Sequence, residues 1–292
     1  MRNQSKTRGK LRLREQNSIK NVGDFLQRVE TLSESTRQKL WFRGHAKTDF
    51  RLLPTVGREQ NYFGRRILLN RQQEAELLHR FRRRAYPIVN RQMTAGEALI
   101  VGRHHGLPTR LLDWTANALM ALYFAAYEHL DRPGRVCALI RRDGIQEIDA
   151  FEFAKRLDEK EVLGYDLAAK RQSSSSAGVL SVKILHPFYN SQRLLAQDGI
   201  FTLHSDPWRS LEALVGETFQ PKSMDIDHIV QWEIPAHQKL DIIRHLSRLG
   251  ISHRTAFPDL DGIAKSLLET EVLWSPRAVQ TLAGEPSASE NP

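Results

Sequence analysis

Apolar positions along this chain recur with two periods, and each period predicts its own elements. Phe25, Val29 and Leu32 fall at helical spacing, so a first helix is expected over 22–37. Leu40-Trp41-Phe42 is short, apolar and aromatic and runs into Gly44, the pattern of a strand ending in a turn. Residues 51–62 hold Pro54 and Gly57 and read as a loop, and helices are expected over 71–86 and 94–102. The clearest helix lies at 117–130. There Leu119, Leu122, Tyr123, Ala126, Tyr127 and Leu130 form one stripe, with Asp113 or Thr115 available as the N-cap. Strands are expected at 136–140, entered from Gly134, and at 179–184, broken by Pro187; a serine-rich loop at 171–178 separates them. Residues 200–203 and 229–234 complete a sheet, and a late helix over 236–249 stops at Gly250. Helices and strands mix without a regular βαβ repeat, which predicts an α+β fold with helices around a small central sheet.

Composition narrows the setting. A chain of 292 residues, 40% hydrophobic and 26% charged, buries a core without disulfides or structural metals. Cys137 is the lone cysteine, so no internal disulfide or Cys-rich metal site forms, and a reducing compartment, the cytoplasm, is expected. The longest apolar run, 118–126, has about half of the ~20 residues a membrane span needs. No apolar stretch follows the basic N-terminus, so no secretory signal is expected.

The net charge is +9, unevenly spread. The first 20 residues hold seven basic side chains against Glu15, a net of +6, which leaves +3 for the rest. Residues 1–17 therefore read as a disordered basic arm, a spacer or a contact to nucleic-acid phosphates, ahead of one folded domain over 18–283 and a disordered tail at 284–292. A second basic cluster, Arg80, Arg82, Arg83 and Arg84, lies on a helix whose apolar positions are Leu77, Leu78, Phe81 and Ala85. Its arginines read as the exposed face of an amphipathic helix or as an RNA contact.

Three segments carry more polar chemistry than packing demands. In Trp41-Phe42-Arg43-Gly44-His45 an arginine closes an apolar strand. Its planar donor fork needs a phosphate, a carboxylate ligand, or an internal partner such as Asp49 or Asp113. In the segment from Arg103 to Thr115, expected as a loop between two helices, Gly106 and Pro108 break the helix and deliver His104, His105, Thr109, Arg110, Asp113 and Trp114 toward the start of the 117–130 helix, where free N–H groups favour a pyrophosphate. The histidines are acid–base candidates or hydrogen-bonded core residues, and Asp113 is a ligand residue or a helix cap. Adjacent histidines with no further ligand at metal spacing give no reason to expect a metal. In the third segment, Gln197-Asp198-Gly199 precedes the strand at 200–203, placing Gln197 or Asp198 beside a ligand or in a plain turn. P-loop, Rossmann, nucleophile-elbow and kinase motifs are absent.

In these segments the chain resembles the FRG domain family, named for its aromatic-Arg-Gly motif. The residues that carry the resemblance are Trp41 to Gly44, Leu53-Pro54, Glu74 with Phe81, and the His-Gly-Leu-Pro-Thr-Arg-Leu-Leu-Asp-Trp-Thr block from His105 to Thr115, running on to Ala125. Strong similarity covers 41–126, with weaker blocks at 197–202 and 250–262. Arg103 departs from the family, which more often shows Gln there. The motif is also similar to the first motif of ADP-ribosyltransferases, in which an arginine grips a phosphate of NAD. That likeness implies Arg43 on the pyrophosphate, Thr109 in a Ser/Thr motif, and Gln197 or Asp198 near a third motif, although no Glu-x-Glu or Gln-x-Glu occurs there.

The expected function is binding of a nucleotide-like anion, with NAD-dependent ADP-ribosyl transfer in a bacterial toxin or phage-defence setting as the candidate reaction. His104, His105, Gln197 and Asp198 are the candidate catalytic residues; Arg43, Thr109, Arg110, Asp113 and Trp114 are the candidate ligand residues. Arg43, His105, Arg110 and Asp113 are expected to converge on one cleft. The alternative is a non-enzymatic module that binds nucleic acid or protein through the basic arm and the face carrying Arg80, Arg82, Arg83 and Arg84.

Overall fold

The structure, a computed structural model, describes residues 18–145, 147–155, 181–186, 192–216 and 224–274. The basic arm expected at 1–17, the loop at 171–178 and the tail at 284–292 lie outside the described residues, as do residues 179, 180 and 187.

Helix α1 (Val22–Thr36) starts where the Asn21 side chain accepts from Asp24 N–H, and ends on Arg37 in the left-handed region at φ 53°. Strand β1 is Trp41–His45. The stretch expected as a plain loop to residue 62 instead runs into a hairpin, β2 (Gln60–Tyr62) and β3 (Arg65–Ile67), turned by Phe63 and Gly64 at φ 52° and 75°. Two positive φ values in succession suit the right-handed twist of a two-residue hairpin. Helices α2 (Arg71–Val89) and α3 (Ala95–His104) each open with a capping box, Asn70 with Gln73 and Thr94 with Glu97. Strand β4 (Leu111–Thr115), helix α4 (Ala118–Ala126) and strand β5 (Gly134–Arg141) follow. The remainder is β6 (Ile148–Asp149), α5 (Ala150–Ala154), β7 (Val182–His186), α6 (Gln192–Ala196), β8 (Gly199–His204), α7 (Leu211–Val215), β9 (Ile226–Ile234), α8 (Ala236–Arg248), α9 (His253–Ala256) and α10 (Leu260–Trp274).

The α+β expectation holds, but the sheet is not small. Among the described residues it has seven strands in the order β6-β7-β8-β4-β1-β5-β9, antiparallel except for β6 with β7. One face carries Phe42, Val136, Ala138 and Ile140 beneath α1, α4 and α8, and Leu111, Leu185 and Phe201 beneath α2 and α3. The other face carries Trp41, Leu112, Trp114, Cys137 and Leu139, covered in part by Leu211 and Leu214 of α7. The helices on the first face thus fall into two groups with separate cores, and a gap runs between them above β1 and β4.

Two corrections concern this gap. Residues 111–115, expected within a loop, form a central strand. The carboxylate of Asp113 breaks an otherwise apolar run and disguises the period-2 pattern, which is clear once β8 pairs along its whole length. Neither Asp113 nor Thr115 is the N-cap of α4; Asn117 is, accepting from Met120 N–H at 3.1 Å, while its own N–H donates to the Thr115 hydroxyl. The helix also stops at Ala126, short of 130, and Leu130 of the expected stripe is exposed. A third correction concerns the basic helix. Arg80, Arg83 and Arg84 are exposed, but Arg82 is half-buried and donates to Met93 O at 2.9 Å, and Arg80 is paired with Glu76.

Helix α4 lies very close to β1. A Cβ on Gly44 would stand 2.0 Å from Ala121 O, and one on Gly134 would stand 2.2 Å from Ala125 O. The glycine of the aromatic-Arg-Gly motif is therefore required by backbone approach, and Ala121 and Ala125 keep the helix side of the contact small.

Candidate functional site

The gap between the two helical groups is a cleft of about 710 Å³. Its floor is the place where β1 and β4 part. Only Phe42 and Thr115 pair across them, whereas β1 pairs with β5 over its full length. Past that single pair, Arg43 occupies the opening and donates from Nη1 to the main-chain oxygen of Asp113 at 2.6 Å. A guanidinium thus takes the place of a strand-to-strand hydrogen bond.

Asp113 is the carboxylate that the arginines of β1 and α3 share. Arg103, from the end of α3, grips it with both prongs, Nε to Oδ1 at 3.1 Å and Nη2 to Oδ2, and Arg43 Nη1 stands 3.5 Å from Oδ2. Burial alone would raise the Asp113 pKa; the Arg103 and Arg43 guanidiniums outweigh it and hold the carboxyl well below the usual range. Burial lowers the Arg43 pKa, partly offset by Asp113, whereas for Arg103 the carboxylate outweighs burial and raises it.

Arg58 is the third guanidinium. It leaves the turn after Val56 and donates from Nε and Nη2 to Leu53 O at 2.8 and 2.6 Å. Among the described residues no carboxylate lies in ion-pair range of it. Burial, with Arg43 and Arg103 nearby, pushes its pKa down to about 10. His45 accepts from Arg43 Nε at 3.0 Å through Nε2, so its imidazole is neutral with the proton on Nδ1. Burial first, then Arg43, Arg135 and Arg58, holds its pKa well below the ordinary value.

Of the residues expected from sequence, Arg43, Asp113 and His104 meet in this cleft, with Gln197 on its wall. The His104 pKa is lowered by burial, His105 and Arg193. The Gln197 amide donates to Ala256 O at 2.9 Å. Trp114 touches the cleft, but its ring belongs to the core, where Nε1 donates to the Thr202 hydroxyl. The expected convergence fails for Arg110 and His105. Arg110 is 1% exposed and forms a two-pronged pair with Glu74, Nε to Oε1 at 3.0 Å and Nη2 to Oε2 at 2.6 Å. Asp113 lies near the parting of β1 and β4, whereas Arg110, just before β4, reaches Glu74 of α2 instead. His105 is exposed and lines a separate apolar cavity with Phe81, Leu107 and Pro108. Thr109 is buried, and Asp198 sits in the turn into β8 at φ 41°, away from the cleft lining.

No pattern in the sequence assigns a role to Arg58, Arg103 or His45. A usable signal existed for two of them: His45 directly follows the motif, and Arg103 lies ten positions before the acid it grips. Among the described residues no three His, Cys, Asp or Glu side chains come together as a metal-binding group, and no helix is long and apolar enough to cross a membrane.

Fold and site together define an α+β protein with a basic cleft opened between two strands of its sheet. Residues 38–133 match the FRG domain family. A search of curated proteins and a search of solved structures find no match. The matched stretch contains Arg43, Arg58, Arg103 and Asp113, whereas Arg193, Gln197, His253 and Phe257, which also line the cleft, come from beyond it.

Proposed function

We propose that the cleft binds a nucleotide-like anion and seats its phosphates on Arg43, Arg58 and Arg103. One observation carries this reading: Arg43 and Arg103, both partly buried, share the single carboxylate of Asp113, and the partly buried Arg58 beside them has no carboxylate in ion-pair range among the described residues. Removing a cation from water without an anion is costly, and a phosphate with its several acceptor oxygens relieves that cost with charge-assisted hydrogen bonds. The Arg103 grip on Asp113 fixes the geometry of the seat before any ligand arrives.

The reaction to test first is ADP-ribosyl transfer from NAD, as the resemblance to ADP-ribosyltransferases implies, in a toxin or phage-defence setting. In that reaction an acceptor nucleophile bonds to the ribose C1′, the bond to nicotinamide breaks, and the nucleophile gives up its proton. A histidine kept neutral, as burial favours for His104, is suited to receive that proton.

The test is isothermal titration of the whole chain with NAD, ADP and pyrophosphate, wild type beside Arg58→Gln, together with an assay for nicotinamide release. A hydrogen bond to a charged group contributes about 1.5–3 kcal/mol. Arg58→Gln should therefore weaken phosphate ligands by roughly ten- to a hundredfold and leave the circular dichroism spectrum unchanged. Failure of all three ligands to bind wild type at millimolar concentration would overturn the reading; binding without nicotinamide release would remove the reaction and keep the seat.

A further inference from the structure

Besides the three guanidiniums, the cleft is lined by a run of ring contacts. It begins in the core with Tyr123, whose hydroxyl donates to Glu269 at 2.8 Å and lies 3.3 Å from His253 Nδ1. Tyr127 stacks on Tyr123 at 5.1 Å between centroids, the His253 ring follows at 4.9 Å, and Phe257 stacks on His253 at 4.5 Å. Glu269 also accepts from the main-chain N–H of His253 at 3.0 Å, so the run is anchored at its root. Its last member is a guanidinium: Arg193 of α6 lies over Phe257, 4.3 Å from the ring centroid. Phe257 is thus in contact with both the His253 ring and the Arg193 guanidinium. Arg193 is exposed, lines the cleft, and has no hydrogen-bond acceptor or carboxylate partner among the described residues.

We propose that Arg193, held flat by Phe257, is a stacking platform for the planar base of the ligand, which makes the ligand a nucleotide and not merely a phosphate. The proposal rests on the anion reading above, because it places the base of a molecule whose phosphates sit on Arg43, Arg58 and Arg103. A guanidinium is planar and weakly hydrated across its faces, so it stacks on an aromatic ring with one face and receives another ring on the second. The N–H groups point outward in the plane and stay available to ribose or phosphate oxygens. The anchored run of rings holds the platform in place before binding, which removes most of the ordering cost that a free arginine would incur. The charge of Arg193 is felt at His104, so the platform and the guanidinium seat belong to one cleft. Arg193 and Phe257 also lie beyond residues 38–133, so the base would be read by a part of the chain outside the matched FRG stretch.

The test is titration of the full chain with ADP and with pyrophosphate, using wild type, Arg193→Lys and Phe257→Leu. Lysine keeps the charge and loses the plane. Arg193→Lys should weaken ADP about tenfold, in line with the loss of one base-stacking contact, and leave pyrophosphate within about twofold. Phe257→Leu should act in the same direction; Arg193→Lys, at an exposed position, keeps the question open to decision if Phe257→Leu fails to fold. Unchanged ADP affinity in Arg193→Lys would overturn the platform, and so would an equal loss for pyrophosphate, which would make Arg193 a phosphate clamp. ADP binding that depends on Arg193 in a protein that ignores pyrophosphate would keep the platform and refute the guanidinium seat. If neither ligand binds wild type, both proposals fall.

Discussion

Replacing Glu74 by Ala takes away the carboxylate that pairs with the buried Arg110. Both side chains are 1% exposed and share hydrogen bonds of 3.0 and 2.6 Å, and Arg110 Nη1 also reaches His204 O at 3.4 Å and Ser205 O at 3.5 Å. The variant therefore leaves a guanidinium in a low-dielectric interior without its counter-charge, a change that costs about 3–5 kcal/mol. At about 2–4 °C per kcal/mol for a chain of this class, the melting temperature should fall by roughly 10 °C. The double variant Glu74→Leu/Arg110→Met removes both charges and fills the space with apolar atoms, so most of the loss should return. Urea unfolding of the two single variants and the double one, followed by circular dichroism, closes the cycle. Pyrophosphate titration at low temperature, where Glu74→Ala is still folded, supplies the control. If Arg110→Met melts like wild type and instead abolishes pyrophosphate binding, then Arg110 is a ligand residue and the cleft has been bounded wrongly.

Gly44→Ala should destabilise the protein by about 1–3 kcal/mol or more, because the new methyl would stand 2.0 Å from the main-chain oxygen of Ala121, which cannot swing aside; an unchanged urea midpoint would mean that α4 does not sit on β1. A pH series tests the buried histidines. Burial and then Arg110 lower the His204 pKa to about 3 from an ordinary value near 6.5, so the unfolded chain binds this proton first. The stability contributed by neutral His204 is present above pH 6.5 and is lost as the pH falls toward 3, at up to about 1.4 kcal/mol per pH unit for each such group. His204→Gln should flatten that slope by one proton, and a slope as steep as that of wild type would count against the assignment.

The readable parts of the fold were those where a single period ran undisturbed. Phe25, Val29 and Leu32 marked α1, and the apolar runs around Cys137 and Trp232 marked β5 and β9. Strand β4 was hidden because its middle residue is charged, and a charged residue at a strand centre makes sense only once Arg43 and Arg103 are brought to it from 70 and ten positions away. The sequence offered Asp49 and Asp113 as partners for Arg43 without deciding between them. It likewise had no means to tell Arg103 from Arg110. One grips an acid in an open cleft and the other an acid in the core, and Glu74 lies on a helix whose placement is tertiary information. Helix α10 went unseen because Leu260, Leu267 and Leu268 remain exposed, so its apolar positions do not form the one-sided stripe that signals a docked helix.

The parting of β1 from β4 bears on what the matched stretch amounts to as a piece of chain. Residues 38–133 supply these two strands to the large sheet and no other, and they sit side by side at its middle. Each faces, on its outer side, a strand supplied later in the chain, β8 for β4 and β5 for β1. Cut out alone, the stretch would present two raw edges and a joint of one residue pair, with a guanidinium as its only other stitch. The region that carries the FRG name is therefore a keystone and not a self-standing block: it holds the arginines of the cleft, while the two flanking leaves of the sheet give it something to be wedged between.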